Sequence, residues 1–312
     1  MPQLKFQGHA PTELLEVEIE NLRERLKGKP AKVNLPALAR RDVGFMECWL
    51  ADGYFVSKDF TSLEPTITAE LSKDPYYRYA TYDGIGKKPY INDHNILMID
   101  DIYLMTASVM PGLSEPVLEY FSRPEHCEQW VIDNEVVKED PKIKPYRKKA
   151  KPACLGFNYG MGPKRFVNQC YDAGINIELT EAKKMYHAYW DLYKDVRKLV
   201  KLLETTTAKN GYLVNGFGYR LTTEPFKGYN AMIQSSASGV LDVYNYKFFP
   251  RCPWVTFIAI VHDEVIIDCP KDKLEKTRSI QQECVASLNE DLGFDVPMRM
   301  GFVTGKTFAD IK

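Results

Sequence analysis

Residues 254–269 read WVTFIAIVHDEVIIDC, two apolar, β-rich runs on either side of His262-Asp263-Glu264. Runs of this composition form strands, and the polar break between them reads as the turn of a hairpin with an acidic tip. No apolar residue accounts for that tip. Buried strands must hold it at the end of a sheet, because an ionised carboxylate is too costly in a core unless it is paired or bound to metal. A plain structural turn explains the stretch equally well until a second carboxylate joins it.

Asp59 is that second carboxylate. It lies in MECWLADGYFVSKDF (46–60), which reads as two extended segments joined at Ala51-Asp52-Gly53, the second leading into Asp59. A helix carrying Glu64, Ala69 and Leu71 is expected to follow. Further out, residues 12–28 read as a charged amphipathic helix with Leu14, Leu15, Val17, Ile19, Leu22 and Leu26 on its apolar stripe, suited to packing or to docking a partner. Residues 76–100, rich in Tyr, Gly, Asp and Asn without periodicity, read as a long loop or insertion. From Thr180 to Asn210 the apolar positions step by threes and fours, as in one helix with a buried face, Thr180 as its N-cap and Gly211 as its stop.

Composition narrows the classes. The 312 residues are 45% hydrophobic, 27% charged and 12% aromatic, which describes a folded chain of one large domain or two interleaved ones. The net charge of −1 conceals a local excess: residues 138–152, KEDPKIKPYRKKAKP, hold seven Lys or Arg against two acids. No run approaches the ~20 apolar residues of a membrane helix, and the N-terminus lacks a signal peptide's apolar stretch, so a soluble, cytoplasmic protein is expected. Seven cysteines, an odd number with no C-x-x-C pair, disfavour a disulfide framework and a zinc site.

Asp59-Phe60-Thr61-Ser62-Leu63-Glu64, followed by Ala69-Glu70-Leu71-Ser72, resembles motif A of the family A DNA polymerases (D-Y-S-Q-I-E-L-R, then A-H-L-S). Ile260-Val261-His262-Asp263-Glu264 resembles their motif C, Q-V-H-D-E. Between them, Arg147 to Gly160 resembles motif B, R-x-x-x-K-x-x-x-[FY]-x-x-x-Y-G, at Arg147, Lys151, Leu155, Tyr159 and Gly160. Asp101-Ile102-Tyr103 is similar to the family's D-I-H, and Asn230 with Gln234 to N-x-P-x-Q. Order and spacing agree over roughly residues 40–312.

The resemblance implies an α+β fold, a right-hand polymerase palm of antiparallel sheet and helices with mostly helical fingers: palm from 36–75 and 211–312, fingers from 76–210, and an N-terminal docking segment at 1–35. It implies transfer of a deoxynucleoside monophosphate to a primer 3′-hydroxyl. Two Mg²⁺ ions would be held by Asp59 and Asp263. Arg147 and Lys151 would grip the triphosphate, with Lys151 taking part in catalysis. Leu155, Tyr103 and Tyr159 would line the dNTP, and Glu64 would stand where a ribose 2′-hydroxyl would go. His262, Asn230, Gln234 and Glu264 would contact primer–template DNA. Spaced by four, residues 147, 151, 155 and 159 would form one helical stripe about 18 Å long.

The chain departs from the pattern at four places. Leu155 replaces an aromatic, Tyr103 stands where a phosphate-contacting His is usual, and Pro152 within motif B predicts a kinked or late-starting helix. The T-G-R and P-N-L-Q-N stretches that precede motif A are absent, which implies that thumb and 3′–5′ exonuclease domains are missing. That points to a separate polypeptide supplying them and to a bacteriophage replicase at work in an infected cell. A weakly catalytic polymerase-like accessory subunit is the alternative reading, and a metal-dependent nuclease is a third.

Overall fold

The computed structural model describes residues 50–172 and 176–311, so the helix expected at 12–28 and the docking segment at 1–35 lie outside the described residues. The main elements run β1 (Leu50–Asp59), α1 (Leu63–Ser72), α2 (Ile102–Ala107), α3 (Lys144–Gly156), α4 (Leu179–Leu192), α5 (Lys194–Asn210), α6 (Gly228–Phe248), β2 (Thr256–Val261), β3 (Glu264–Cys269), α7 (Leu274–Leu292) and β4 (Val303–Thr307). Further helices and two-residue ladders fill the intervals. The fold is α+β. Backbone proximity divides the described chain into two units, one of residues 50–61, 241–292 and 298–311, the other of residues 62–240 and 293–297. These boundaries differ from the motif-based ones at 75 and 210.

In the first unit the strands form one antiparallel sheet in the order β2-β3-β1-β4. The expected hairpin is present: β2 and β3 pair from Thr256↔Asp268 to Val261↔Glu264, with His262 and Asp263 as the loop. β1 lies against β3 from Tyr54↔Cys269 to Asp59↔Glu264. Alternation along a strand then puts Phe55, Ser57 and Asp59 on one face with Glu264 and Ile266, and Val56 and Lys58 on the other with Val265 and Ile267. Phe55 and Ile266 bury against Ile311 on the first face, and Lys58 lies against Tyr244 and Phe248 of α6 on the second.

The break expected at Ala51–Gly53 is not there, since β1 is one strand through Asp59. A Cβ at residue 53 would sit 2.2 Å from the Cys269 carbonyl oxygen. The Asp268 carboxylate accepts from the backbone N–H groups of Asp52 (2.9 Å) and Gly53 (3.0 Å). Gly53 therefore marks a close approach of two backbones in an irregular stretch of strand, where the register to β4 slips, rather than a turn.

The second unit is mostly helical, and three expectations change in it. Residues 76–100 are not a loop throughout: a turn at Pro75–Arg78 runs into a π-turn at Tyr79–Asp83, and a ladder joins Tyr90–Ile91 to Leu97–Met98. The Asp74 carboxylate starts the turn by accepting from the N–H groups of Tyr76 and Tyr77. Elements this short leave no periodicity to read.

Residues 179–210 form two helices that meet at buried Tyr193, whose φ of −101° and ψ of 62° break the ladder. Its hydroxyl lies 3.0 Å from Thr106 Oγ1, and Asp74 Oδ2 accepts from the Asp195 N–H at 3.0 Å, capping α5 from outside. α4 opens after Glu178 rather than at Thr180, while Gly211 ends α5 with φ 75° as expected.

α3 starts at Lys144, ahead of Arg147, and runs through Pro152 to end at Gly156. Proline removes the donor for the Lys148 carbonyl, and Lys148 is exposed to water that can replace it. Tyr159 is consequently not on the helical stripe. The N–H groups of Tyr159 and Met161 both turn back to the Gly156 carbonyl at 3.0 Å, and the Met161 side chain occupies the place of any Cβ at residue 156. That packing closes the helix one turn before Tyr159.

Candidate active site

In the first unit the backbone ladder decides which acids meet. Directly paired antiparallel residues lie about 4.5–5.5 Å apart at Cα and successive residues about 3.8 Å, so the Asp59↔Glu264 pairing bounds the Cα separation of Asp59 and Asp263 at about 9 Å. Neighbouring backbone fixes both. The Phe60 N–H donates to the Asp263 carbonyl (3.3 Å), the Gly301 N–H to the Asp59 carbonyl (2.8 Å) and the Thr61 N–H to the Arg299 carbonyl (2.9 Å). Asp59 is exposed and Asp263 half-buried. His262, also exposed, has φ 58°, a left-handed conformation that costs a non-glycine residue roughly 1–2 kcal/mol. Strain of this kind gathers where a side chain serves a purpose other than stability.

Glu264 differs from its neighbours in being 8% exposed, with Oε1 accepting the Ser57 hydroxyl. Behind Asp59, Lys58 is fully buried. Its Nζ has no hydrogen-bond partner and lies 3.2 Å from the Phe248 ring centroid. Burial pulls its pKa down to about 7, partly opposed by the thiols of Cys252, Cys284 and Cys269.

The second unit holds a cleft lined by Glu64, Ile102, Tyr103, Cys154, Leu155 and Tyr159, among others. Glu64 accepts from the Tyr159 hydroxyl through Oε2 and from the Gln234 amide through Oε1, so both of its oxygens are engaged. Burial, then the bond to Glu64, raises the Tyr159 pKa well above the usual phenol value. Arg147 Nε donates to Asp101 Oδ2 at 2.8 Å. The Tyr103 ring lies 4.9 Å from the Arg147 guanidinium carbon and 5.8 Å from Lys151 Nζ, and burial pushes its phenol up to about 12. Leu155 and Lys151 are exposed on α3. Asn230 and Gln234, four apart at the start of α6, are exposed on one face.

The sequence profile of DNA polymerase family A matches residues 132–310. This chain belongs to DNA polymerase family A. It is 21% identical to DNA polymerase I of Deinococcus radiodurans over 97% of the chain and 28% of that relative, and 27% identical to the DNA polymerase of Mycobacterium phage D29 over 80% of the chain and 34% of that relative. It thus spans about a third or less of the length of these relatives. Among solved structures, the POL domain of Pol1 from M. smegmatis, in complex with DNA primer-template and dNTP, superimposes with a TM-score of 0.64. That match covers 92% of this chain and 45% of the other at 18% identity, and it shows a common fold.

Within this family A chain, the first unit brings together Asp59, Asp263, His262 and Glu264, and the second brings together Glu64, Tyr159 and Gln234 and, separately, Tyr103, Arg147 and Lys151. Two residues of consequence escaped the sequence reading. Asp101 precedes an apolar helical start, which is a capping signal in the sequence, but nothing local ties it to Arg147. Lys58 carried no signal, because a lysine in a strand next to a catalytic-type acid reads as exposed.

Proposed function

We propose that the chain carries the nucleotidyl-transfer centre of a DNA-directed DNA polymerase, adding dNMP to a primer 3′-hydroxyl on a DNA template. The observation that supports this reading is the Asp59↔Glu264 register, which keeps the Cα atoms of Asp59 and Asp263 within about 9 Å of each other at one sheet end. Two Mg²⁺ ions would be held by these carboxylates. Hard oxygens suit Mg²⁺, which takes one or two protein carboxylates and completes its shell with water and substrate phosphates. Asp59 and Asp263 supply two such carboxylates at the end of one sheet. When bound, the ions would favour the attacking alkoxide and stabilise the leaving pyrophosphate.

The chain's own groups would do the rest. Arg147 and Lys151 would hold the triphosphate, a role that suits two cations on one helix face. Glu64, with both oxygens engaged, would be a fixed obstacle to a 2′-hydroxyl, and Leu155 would lie against the sugar or base. Tyr159 would face the templating position. His262, Asn230 and Gln234 would meet the primer end and minor groove. Glu264, buried on Ser57, fits support of the acidic tip better than contact with DNA. A thumb and a 3′–5′ exonuclease, wherever they are encoded, would complete the machine. Among the described residues no helix is long and apolar enough to cross a membrane.

Primer extension with Mg²⁺ and dNTPs, comparing wild type with Asp263→Ala and Lys151→Ala, tests the proposal. Extension lost in Asp263→Ala and weakened in Lys151→Ala supports it. Degradation of the primer points to a nuclease, and a mobility shift without chemistry points to an accessory subunit.

A further inference from the structure

We infer that Asp101 is a positioning residue for triphosphate binding that acts through Arg147, an inference that rests on the nucleotide-binding reading of α3. Asp101 is 6% exposed, and its two oxygens have different tasks. Oδ1 accepts from the backbone N–H groups of Tyr103 (3.0 Å) and Leu104 (2.9 Å), closing the start of α2. Oδ2 accepts from Arg147 Nε at 2.8 Å. A carboxylate fixed by a helix start thus fixes one edge of a guanidinium on a second helix. Arginine carries five N–H donors in one rigid plane, so engaging Nε leaves the terminal nitrogens pointing in a set direction. An arginine held in this way has already lost the rotamer freedom that anion binding would otherwise remove.

Tyr103 leaves the same cap and reinforces the arrangement. Its ring lies near both cations, 4.9 Å from the Arg147 guanidinium carbon and 5.8 Å from Lys151 Nζ. The two side chains repel one another across one helical turn, and the electron-rich ring face keeps both close to a common point. A carboxylate that served α2 alone would need only one oxygen.

The full chain would be titrated with inorganic tripolyphosphate and with a fluorescent N-methylanthraniloyl-dATP. Wild type, Asp101→Asn, Arg147→Ala and the double variant would be compared, with Tm recorded for each. Asparagine keeps an acceptor for the α2 cap and removes the charge facing Arg147; Asp101→Ala loses both and serves as the structural control. The expected result is about tenfold weaker binding of both ligands in Asp101→Asn, on the scale of a charge-assisted hydrogen bond, and no further loss when it is added to Arg147→Ala. In primer extension the same variant should raise KM for dNTP and hold kcat within about twofold, the signature of lost binding that is common to the ground state and the transition state. Affinity unchanged in Asp101→Asn but reduced in Arg147→Ala overturns the inference alone. So do losses that multiply in the double variant, which would mark a general structural effect. Wild type that binds neither ligand overturns the nucleotide reading and this inference with it.

Discussion

At the sheet end, Asp59 and Asp263 owe their nearness to main-chain pairing, with backbone hydrogen bonds on either side of Asp59. In the helical unit the order is reversed. Glu64 is held by Tyr159 and Gln234, and Arg147 by Asp101, so side chains fix side chains. Each region is therefore vulnerable in its own way. Main-chain pairing and the packing of Phe55 and Ile266 hold the register, so the acids at the sheet end can be removed without moving their frame. A side-chain network loses geometry with each member removed.

The largest effect should follow from breaking the first region. Asp59→Ala or Asp263→Ala should lower kcat about 10³-fold or more, the scale of several kcal/mol of transition-state charge stabilisation. Tm, measured by calorimetry, should change far less than kcat, because main-chain pairing carries the sheet register. A large fall in Tm would show that the acids support the sheet after all.

The opposite face of the same strand should respond in stability alone. Lys58 is a buried, unpaired amine, and Lys58→Met should stabilise the fold by roughly 1–4 kcal/mol in denaturant melts. The pH dependence gives the sign. With the folded pKa near 7 against an ordinary 10.5, the unfolded chain holds the extra proton between those values. The stability of wild type relative to Lys58→Met should therefore rise with pH across that window by up to ~1.4 kcal/mol per unit and stay level below it.

Smaller effects belong to the helical unit. Lys151→Ala should lower kcat/KM by about 10- to 100-fold, as expected for one charge-assisted contact of ~1.5–3 kcal/mol. Tyr159→Phe removes one of the two donors on Glu64. It should cost about 1 kcal/mol of stability and relax discrimination against ribonucleotides a few-fold, read by competing rNTP and dNTP incorporation. Discrimination unchanged in that variant would show that Glu64 needs no network to hold its place.

The same contrast explains what the sequence made legible. The hairpin at 254–269 could be read because two apolar runs flank a polar dipeptide, whereas its pairing with β1 joins segments about two hundred residues apart and no local pattern records it. Gly53 misled because glycine signals a turn as readily as a close backbone approach, and only the Cys269 carbonyl across the sheet distinguishes them. The break at Tyr193 and the cap on Asp195 depend on Asp74, more than a hundred residues away, which helical periodicity does not register. Tyr159 kept the four-residue spacing of the stripe yet left the helix, because Met161 packs on Gly156. Residue types for the site were readable; the bonds of Asp101 to Arg147 and of Glu64 to its two donors were not, since they join elements whose proximity is tertiary.

The most direct measurement is Mn²⁺ binding, followed by electron paramagnetic resonance, to the chain with primer–template and dNTP. Wild type, Asp59→Ala, Asp263→Ala and the double variant would be compared. If the two acids serve one centre, either single change should abolish the tight sites and the double change should remove nothing more. Sites that survive in one single variant and disappear stepwise would show that Asp59 and Asp263 act apart, and the sheet end would not be a shared metal centre.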